Sequence, residues 1–180
     1  MAFPDEIHWF PMRVTYHREL KIKNCLDSMK IENFLPMRYE MVETGSGPKR
    51  KLVPAIHNLV FVHASQILIT ELKTGKRELE PMRYMTKRAE NGSRVIIHVP
   101  DRQMDNFMKV ASCRNDSIFF LNPSDYINKI GKHVKITAGP FKDVEGVIKR
   151  IKKNKSVVVQ IEGVTAVAIA FVPANQLMLI

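Results

Sequence analysis

The residues with the greatest capacity for metal binding or nucleophilic chemistry in this 180-residue chain are six histidines and two cysteines. The histidines are His8, His17, His57, His63, His98 and His133. They have no metal-like spacing, and neither Cys25 nor Cys113 has a second ligand nearby in sequence. A Ser/His/Asp or Cys/His signature and a glycine-rich phosphate loop are also missing. We therefore expect no catalytic residue, no metal and no cofactor, and we do not expect an enzyme.

The net charge indicates a polyanionic partner. The chain has 28 Lys and Arg against 18 Asp and Glu, which gives +10, and its pI is about 9.7. Such a balance is typical of proteins that work beside nucleic acid. The densest basic run is KRIKKNK at residues 149–155, and a solvated hairpin tip is the alternative interpretation of this run.

The two cysteines favour a reduced, cytoplasmic location, because they are widely separated and have no framework of further cysteines. The first six residues, MAFPDE, are acidic and lack the cationic region and apolar core of a signal peptide. The longest apolar stretches are too short to span a bilayer, so we expect no membrane association.

Hydrophobic periodicity predicts an α+β domain over residues 1–121. Its strands and helices follow the order β-α-β-β-α-β with one further helix, which is typical of an antiparallel sheet with packed helices. The predicted strands cover residues 8–14, 34–42, 52–62, 82–88, 95–99 and 118–121, and the predicted helices cover residues 15–30, 65–74 and 101–111. Pro11 restricts the first strand to a sheet edge or a bulge. Thr15 is the expected N-cap of the first helix.

A second, all-β domain is predicted for residues 131–180, after a linker at residues 122–130. Short β-branched strands alternate there with turn residues every eight to twelve positions, which is typical of a small barrel. One corner of this barrel has an unusual composition. Gly139 supplies a backbone angle that other residues avoid, and Pro140 restricts φ for a turn. Phe141 then folds back over the barrel end, and Gly146 permits a close approach of two strands.

These motifs resemble those of the NusG-type transcription elongation and antitermination factors. The corner resembles a KOW motif, with Gly139, Pro140, Phe141 and Gly146 at the family positions. Independently, Trp9-Phe10 resembles the start of the family's first strand. PAIHNLVFV at residues 54–62 stands where the family has PLFPGYVFV. The resemblance covers nearly the whole chain and is greatest to specialised RfaH-like and UpxY-like paralogues. It implies a NusG-type N-terminal domain followed by an SH3-like KOW barrel.

The resemblance also implies a function. Family members bind the clamp helices of the largest RNA polymerase subunit and favour processive transcription, here of selected operons such as those for capsular polysaccharides. The implied partners are RNA polymerase and non-template DNA or nascent RNA, and binding of the barrel to NusE, the ribosome or Rho stays open. We expect a monomer. The alternative is a KOW-containing RNA-binding or ribosome-associated protein that does not contact polymerase.

Candidate contact residues follow from position in the family motifs. The resemblance assigns polymerase binding to Arg13, Ile56, His57, Asn58, Leu59 and Phe61. Core packing is the alternative for Leu59 and Phe61, and a surface turn is the alternative for His57. Weak nucleic-acid contacts are expected from Lys49, Arg50, Lys51, Lys152, Lys153 and Lys155. The family's aromatic, glycine-bearing loop is replaced here by Ile-His-Asn-Leu. The family's aromatic and basic NusE-contacting loop is replaced by Ile-Glu-Gly-Val at residues 161–164, which includes the acidic Glu162.

Overall fold

A computed structural model describes residues 5–122, 131–151 and 154–180. The chain divides into two compact units, the first ending at Asp101 and the second beginning at Arg102. The sequence analysis places the domain boundary later, at residue 121, and the limits of the independently folding domains stay a prediction. Most of the expected linker, residues 123–130, lies outside the described residues.

The first unit contains eight strands and two helices within its described residues. The strands are β1 (Ile7–Val14), β2 (Asn33–Phe34), β3 (Met37–Thr44), β4 (Gly47–Pro54), β5 (Leu59–Ser65), β6 (Met82–Tyr84), β7 (Thr86–Arg88) and β8 (Arg94–Ile96), and the helices are α1 (Glu19–Ser28) and α2 (Gln66–Gly75). An antiparallel sheet has the order β2-β5-β1-β6, while β3–β4 and β7–β8 form separate two-stranded hairpins. The expected antiparallel sheet with helices is confirmed.

The four-stranded sheet is buried on both faces along β1 and β5. Alternate residues of these strands, such as Met12 and Val60, form one core with Ile22 of α1 and Ile69 of α2. The residues between them point to the other face, because side chains alternate along a strand. On that face Trp9 is buried and its ring stacks on His63 with centroids 4.6 Å apart.

Pro11 lies in a central strand, and the prediction of an edge or bulge is wrong. β1 runs between β5 and β6, and Pro11 is opposite Phe61 of β5. The carbonyl of Pro11 accepts a hydrogen bond from Met85 N–H, just after β6. The N and O atoms of one strand residue point to the same side, so the proline nitrogen also faces the β6 side of β1. The β1–β6 pairing covers Met12 to Val14 and does not include Pro11. The ladder to β5 therefore loses no hydrogen bond.

The first helix begins later than predicted. Thr15 is not its N-cap, because Tyr16 and His17 have left-handed φ values of 62° and 50°, and α1 begins only at Glu19. The second helix begins as expected, with the Ser65 hydroxyl accepting a hydrogen bond from Leu68 N–H at 3.2 Å. Three of the predicted strands are interrupted: residues 34–42 break after Phe34, residues 52–62 break after Pro54, and residues 82–88 break at Met85.

The second unit combines one helix with an antiparallel sheet. Helix α3 (Asp101–Ala111) begins at its predicted position, and all of it after Asp101 lies in this unit. The strands are β9 (Ile118–Leu121), β10 (Lys132–Ile136), β11 (Glu145–Ile151), β12 (Asn154–Ile161), β13 (Thr165–Ala170) and β14 (Leu177–Leu179), with a 3-10 turn at Ala174–Gln176. The sheet order is β14-β10-β11-β12-β13-β9. Every residue of β13 is buried. The predicted all-β character of residues 131–180 is confirmed for its described strands.

Strand β9 extends this second sheet. It is antiparallel to β13, with Leu121 opposite Ala166 and Ile118 opposite Ile169. The sequence analysis assigned β9 to the first domain because it precedes the expected linker. Hydrogen bonding places it in the second unit instead. None of the described helices combines the length and the hydropathy needed to cross a membrane.

Candidate functional site

The β1–β5 ladder brings two predicted contact segments together. Arg13 is directly opposite Leu59, the first residue after the loop at residues 55–58. Val14 N–H donates a 3.0 Å hydrogen bond to the carbonyl of Asn58, which attaches the end of this loop to β1. Arg13 and the loop therefore converge at one end of the ladder. We call Arg13, Ile56, His57, Asn58 and Arg83 the β1–β5 end surface.

The six residues predicted to bind polymerase differ in exposure. Arg13 and His57 are exposed, while Ile56 and Asn58 are half-buried. Leu59 and Phe61 are only 4% and 0% exposed. Both are core residues, which was the alternative interpretation for them, because β5 is a buried strand between β2 and β1.

Arg83 belongs to this surface, although the sequence analysis did not select it. It is exposed and lies directly opposite Arg13 in the β1–β6 ladder. Like charges in such cross-strand positions repel each other. Burial, and then the positive charge of Arg83, lower the pKa of Lys73 below its ordinary value. The alternation of Met82-Arg83-Tyr84 indicated an outward arginine, but only the strand register places it beside Arg13.

The loop at residues 55–58 also contacts the segment before α1. The carboxylate of Glu19 accepts a hydrogen bond from Asn58 N–H. The His17 and His57 rings are nearly perpendicular, with centroids 5.5 Å apart. One potential ligand atom from each of His17, Glu19 and His57 lies within 4.8 Å of the others. The sequence analysis expected no metal site, because the histidines have no metal-like spacing and His57 lies 40 positions after His17.

The predicted nucleic-acid contacts occupy two hairpins. Lys49, Arg50 and Lys51 are exposed on β4, and the Arg50 guanidinium lies 4.1 Å from the centroid of the Tyr39 ring. Lys155 is exposed on β12, opposite Arg150. Lys152 and Lys153 lie outside the described residues.

The corner at residues 139–146 has the structural features that the sequence analysis expected. Gly139 has φ +81°, in the left-handed region that favours glycine. A Cβ on Gly146 would lie 2.7 Å from the carbonyl oxygen of Val158 on β12. This distance is too short for a side chain, so the approach of β12 favours glycine at position 146. Phe141 is only 7% exposed and lines a cleft of about 230 Å³ together with Ile136 and Phe171.

Glu162 lies exposed in the turn between β12 and β13. Gly163 follows it with φ +72°, and Val164 N–H donates to the Ile161 carbonyl at 3.0 Å. The turn therefore presents an acidic side chain at its tip. This negative charge differs from the aromatic and basic loop that the resemblance implies for the NusE-contacting position.

Two family models match the chain. The model described as "Transcription termination factor nusG" matches residues 7–108, and the model described as "KOW motif" matches residues 130–162. No curated protein sequence matches significantly, whereas 13 solved chains do. One of these, described as "Domain interaction in Thermotoga maritima NusG", is 17% identical with a TM-score of 0.44, and the match covers 96% of each chain. The first family model spans more than half of the chain.

Proposed function

The chain belongs to the NusG family of transcription factors, and we propose that it binds RNA polymerase through its first unit and promotes processive transcription of selected operons. Family membership supports a general role in transcription elongation or antitermination. Polymerase binding and the choice of operon are part of the proposal, with capsular polysaccharide operons as the class that the resemblance implies. Kinship with RfaH-like and UpxY-like paralogues also stays a prediction.

The β1–β5 end surface is the observation that carries this proposal. It combines two opposed arginines with the half-buried Ile56 and the exposed His57. Within the described residues, no ion pair to Arg13 or Arg83 is present within 4.0 Å. Arginines without a carboxylate partner in the described part of the chain, at the same ladder end as the loop that carries Ile56, suit an acidic protein partner, since arginine and large apolar residues supply much of the energy of interfaces.

The proposed mechanism is differential binding. A factor that binds the elongating state of polymerase more tightly than the paused state shifts the population toward elongation. This effect needs no covalent step. A twentyfold preference is worth about 1.8 kcal/mol, which lies within the usual range of coupling between two bound partners.

Charge reversal tests the surface. In the full-length chain, Arg13→Glu with Arg83→Glu should weaken binding to core RNA polymerase at least about tenfold, because two adjacent favourable charges become repulsive. The same variant should lose its effect on transcription across pauses and terminators in vitro. Leu59→Asp would be uninformative, since a charge at this buried position would unfold the unit.

Arg88→Glu with Arg94→Glu is the matched control. These two arginines are also exposed and directly opposite each other, in the β7–β8 hairpin. This variant has the same charge change, so it should retain polymerase binding. Equal loss in both variants would indicate a general charge effect and would contradict the proposed surface. A wild-type chain that binds RNA but not polymerase would instead support the RNA-binding or ribosome-associated alternative.

The partner of the KOW unit is a separate part of the proposal. The acidic turn at Glu162 disfavours the aromatic contact that NusE makes in the family, so we give no preference to NusE over Rho or RNA. Non-template DNA or nascent RNA is proposed to contact the basic β3–β4 hairpin.

A further inference from the structure

Three potential metal ligands come together beside the β1–β5 ladder. His17 precedes α1, Glu19 begins α1, and His57 lies in the loop at residues 55–58. Their ligand atoms all lie within 4.8 Å of one another. Two imidazoles and one carboxylate form a ligand set that suits Zn²⁺ and related first-row divalent ions, because imidazole nitrogen is an intermediate ligand that these ions prefer over Ca²⁺ or Mg²⁺.

The backbone on both sides of the cluster adopts unusual conformations. Tyr16, His17 and Asn58 have φ values of 62°, 50° and 62°, in the left-handed region that residues with side chains seldom occupy. Strain of this kind persists only where surrounding contacts hold it, and it concentrates at functional sites. Here the hydrogen bond from Asn58 N–H to Glu19 joins the two segments. The chain therefore holds the three ligands near each other before any ion binds.

Glu19 gives an independent reason to expect a cation. Its residue is only 2% exposed, and among the described residues it makes no ion pair within 4.0 Å. A buried carboxylate is costly unless it is hydrogen-bonded and either paired or bound to a metal. The Asn58 N–H and the N-terminus of α1 stabilise it in part. The two histidines beside it are exposed, so an ion can reach the carboxylate from solvent.

We propose that His17, Glu19 and His57 bind one divalent transition-metal ion, with Zn²⁺ as the representative, and that water completes its coordination. The ligand atoms must move closer together than 4.8 Å to reach one ion at about 2 Å each, and rotation of the exposed imidazoles is the movement that we expect. The bound ion would attach the loop at residues 55–58 to the start of α1. This inference does not depend on polymerase binding, although the loop belongs to the proposed docking surface.

The test is titration of the tag-free, chelator-treated full-length chain with ZnCl₂ at neutral pH, followed by calorimetry and thermal unfolding. We expect one ion per chain and a higher Tm at saturating zinc, because a ligand that binds only the folded state stabilises it. His17→Ala and His57→Ala should each weaken binding by at least about tenfold, since even the loss of an outer-shell partner costs that much. Acidification should weaken binding, because imidazoles must be deprotonated to coordinate a metal.

His133→Ala is the matched control, since His133 is an exposed histidine on β10 in the other unit. It should bind zinc as the wild type does. Glu19→Gln is a third variant, and the two histidine variants decide the question if it fails to fold. Absence of stoichiometric binding would overturn the site. Undiminished binding in either histidine variant, or an equal loss in His133→Ala, would also overturn it.

Discussion

Arg13 and Arg83 lie directly opposite each other in neighbouring antiparallel strands, at the end of the ladder that also carries the loop at residues 55–58. Two like charges in this arrangement repel each other, so the pair does not contribute favourably to folding through its charges. A substitution of Arg13 that weakens partner binding without lowering the free energy of unfolding would therefore identify a contact residue and not a structural one.

We expect Arg13→Gln to leave the free energy of unfolding unchanged or to raise it by about 0.2–0.5 kcal/mol, because it removes the repulsion from Arg83. The same substitution should weaken polymerase binding by about fivefold or more, if Arg13 is one of the few interface residues whose truncation costs over ~1 kcal/mol, among which arginine is enriched. Denaturant unfolding and a polymerase binding titration measure the two quantities. A variant that is destabilised yet binds normally would show that Arg13 has only a structural role.

Phe141→Ala should destabilise the second unit by about 3 kcal/mol, because a mostly buried aromatic ring is removed and a cavity remains. Phe171→Ala is the control, since Phe171 lines the same cleft but is 75% exposed. It should change the free energy of unfolding by less than about 0.5 kcal/mol. Urea unfolding of both full-length variants, followed by circular dichroism, makes the comparison. Equal losses would mean that the cleft, and not burial of Phe141, determines stability.

Replacing Lys49, Arg50 and Lys51 by Gln should reduce the salt dependence of single-stranded nucleic-acid binding. Each lost phosphate contact lowers the slope of log K against log [salt] by about 0.7, so three contacts give a decrease of about 2. Filter binding or fluorescence anisotropy at several salt concentrations measures the slope. The control replaces Lys87, Arg88 and Arg94, which are equally exposed on the β7–β8 hairpin. An unchanged slope in the first variant would remove this hairpin from the contact surface.

Acid should weaken the contact of Asp27 with Asn33 and Lys23 in the first unit. Hydrogen bonds from Asn33, then from Lys23, hold the pKa of Asp27 below its ordinary value of 3.8. A lowered carboxyl pKa stabilises the fold at neutral pH, and this stabilisation disappears as the pH falls below about 4 and through the lowered pKa.

We therefore expect Asp27→Asn to cost only a few tenths of a kcal/mol at pH 7, because the Asp27 side chain is 49% exposed and solvent screens the ion pair. The difference from wild type should shrink as the pH falls below about 4 and through the lowered pKa. Unfolding curves at a series of pH values test this. A difference that does not change with pH across the acid range would exclude ionisation of Asp27 as its cause.

Much of the local structure could be predicted from residue patterns. The helical periodicity of residues 101–111 depends on short-range spacing, and the first strand at residues 8–14 was likewise predicted from its own segment. The left-handed φ of Gly139 is a local property of its turn. The need for glycine at Gly146 comes from the close approach of the adjacent strand. The start of helix α1 was less predictable. Threonine is a common N-cap residue, but Tyr16 and His17 after Thr15 adopt left-handed conformations, so the helix begins only at Glu19.

The sequence by itself determined the family, the α+β and all-β character of the two units, and the basic charge, because these depend on composition and on motifs within single segments. The tertiary structure alone decided that Leu59 is core, that Arg83 accompanies Arg13, and that β9 pairs with β13. It also brought His17, Glu19 and His57 together. Each of these depends on strand register and on loops that join distant segments, and the order of residues along one segment does not specify which other segment will lie beside it.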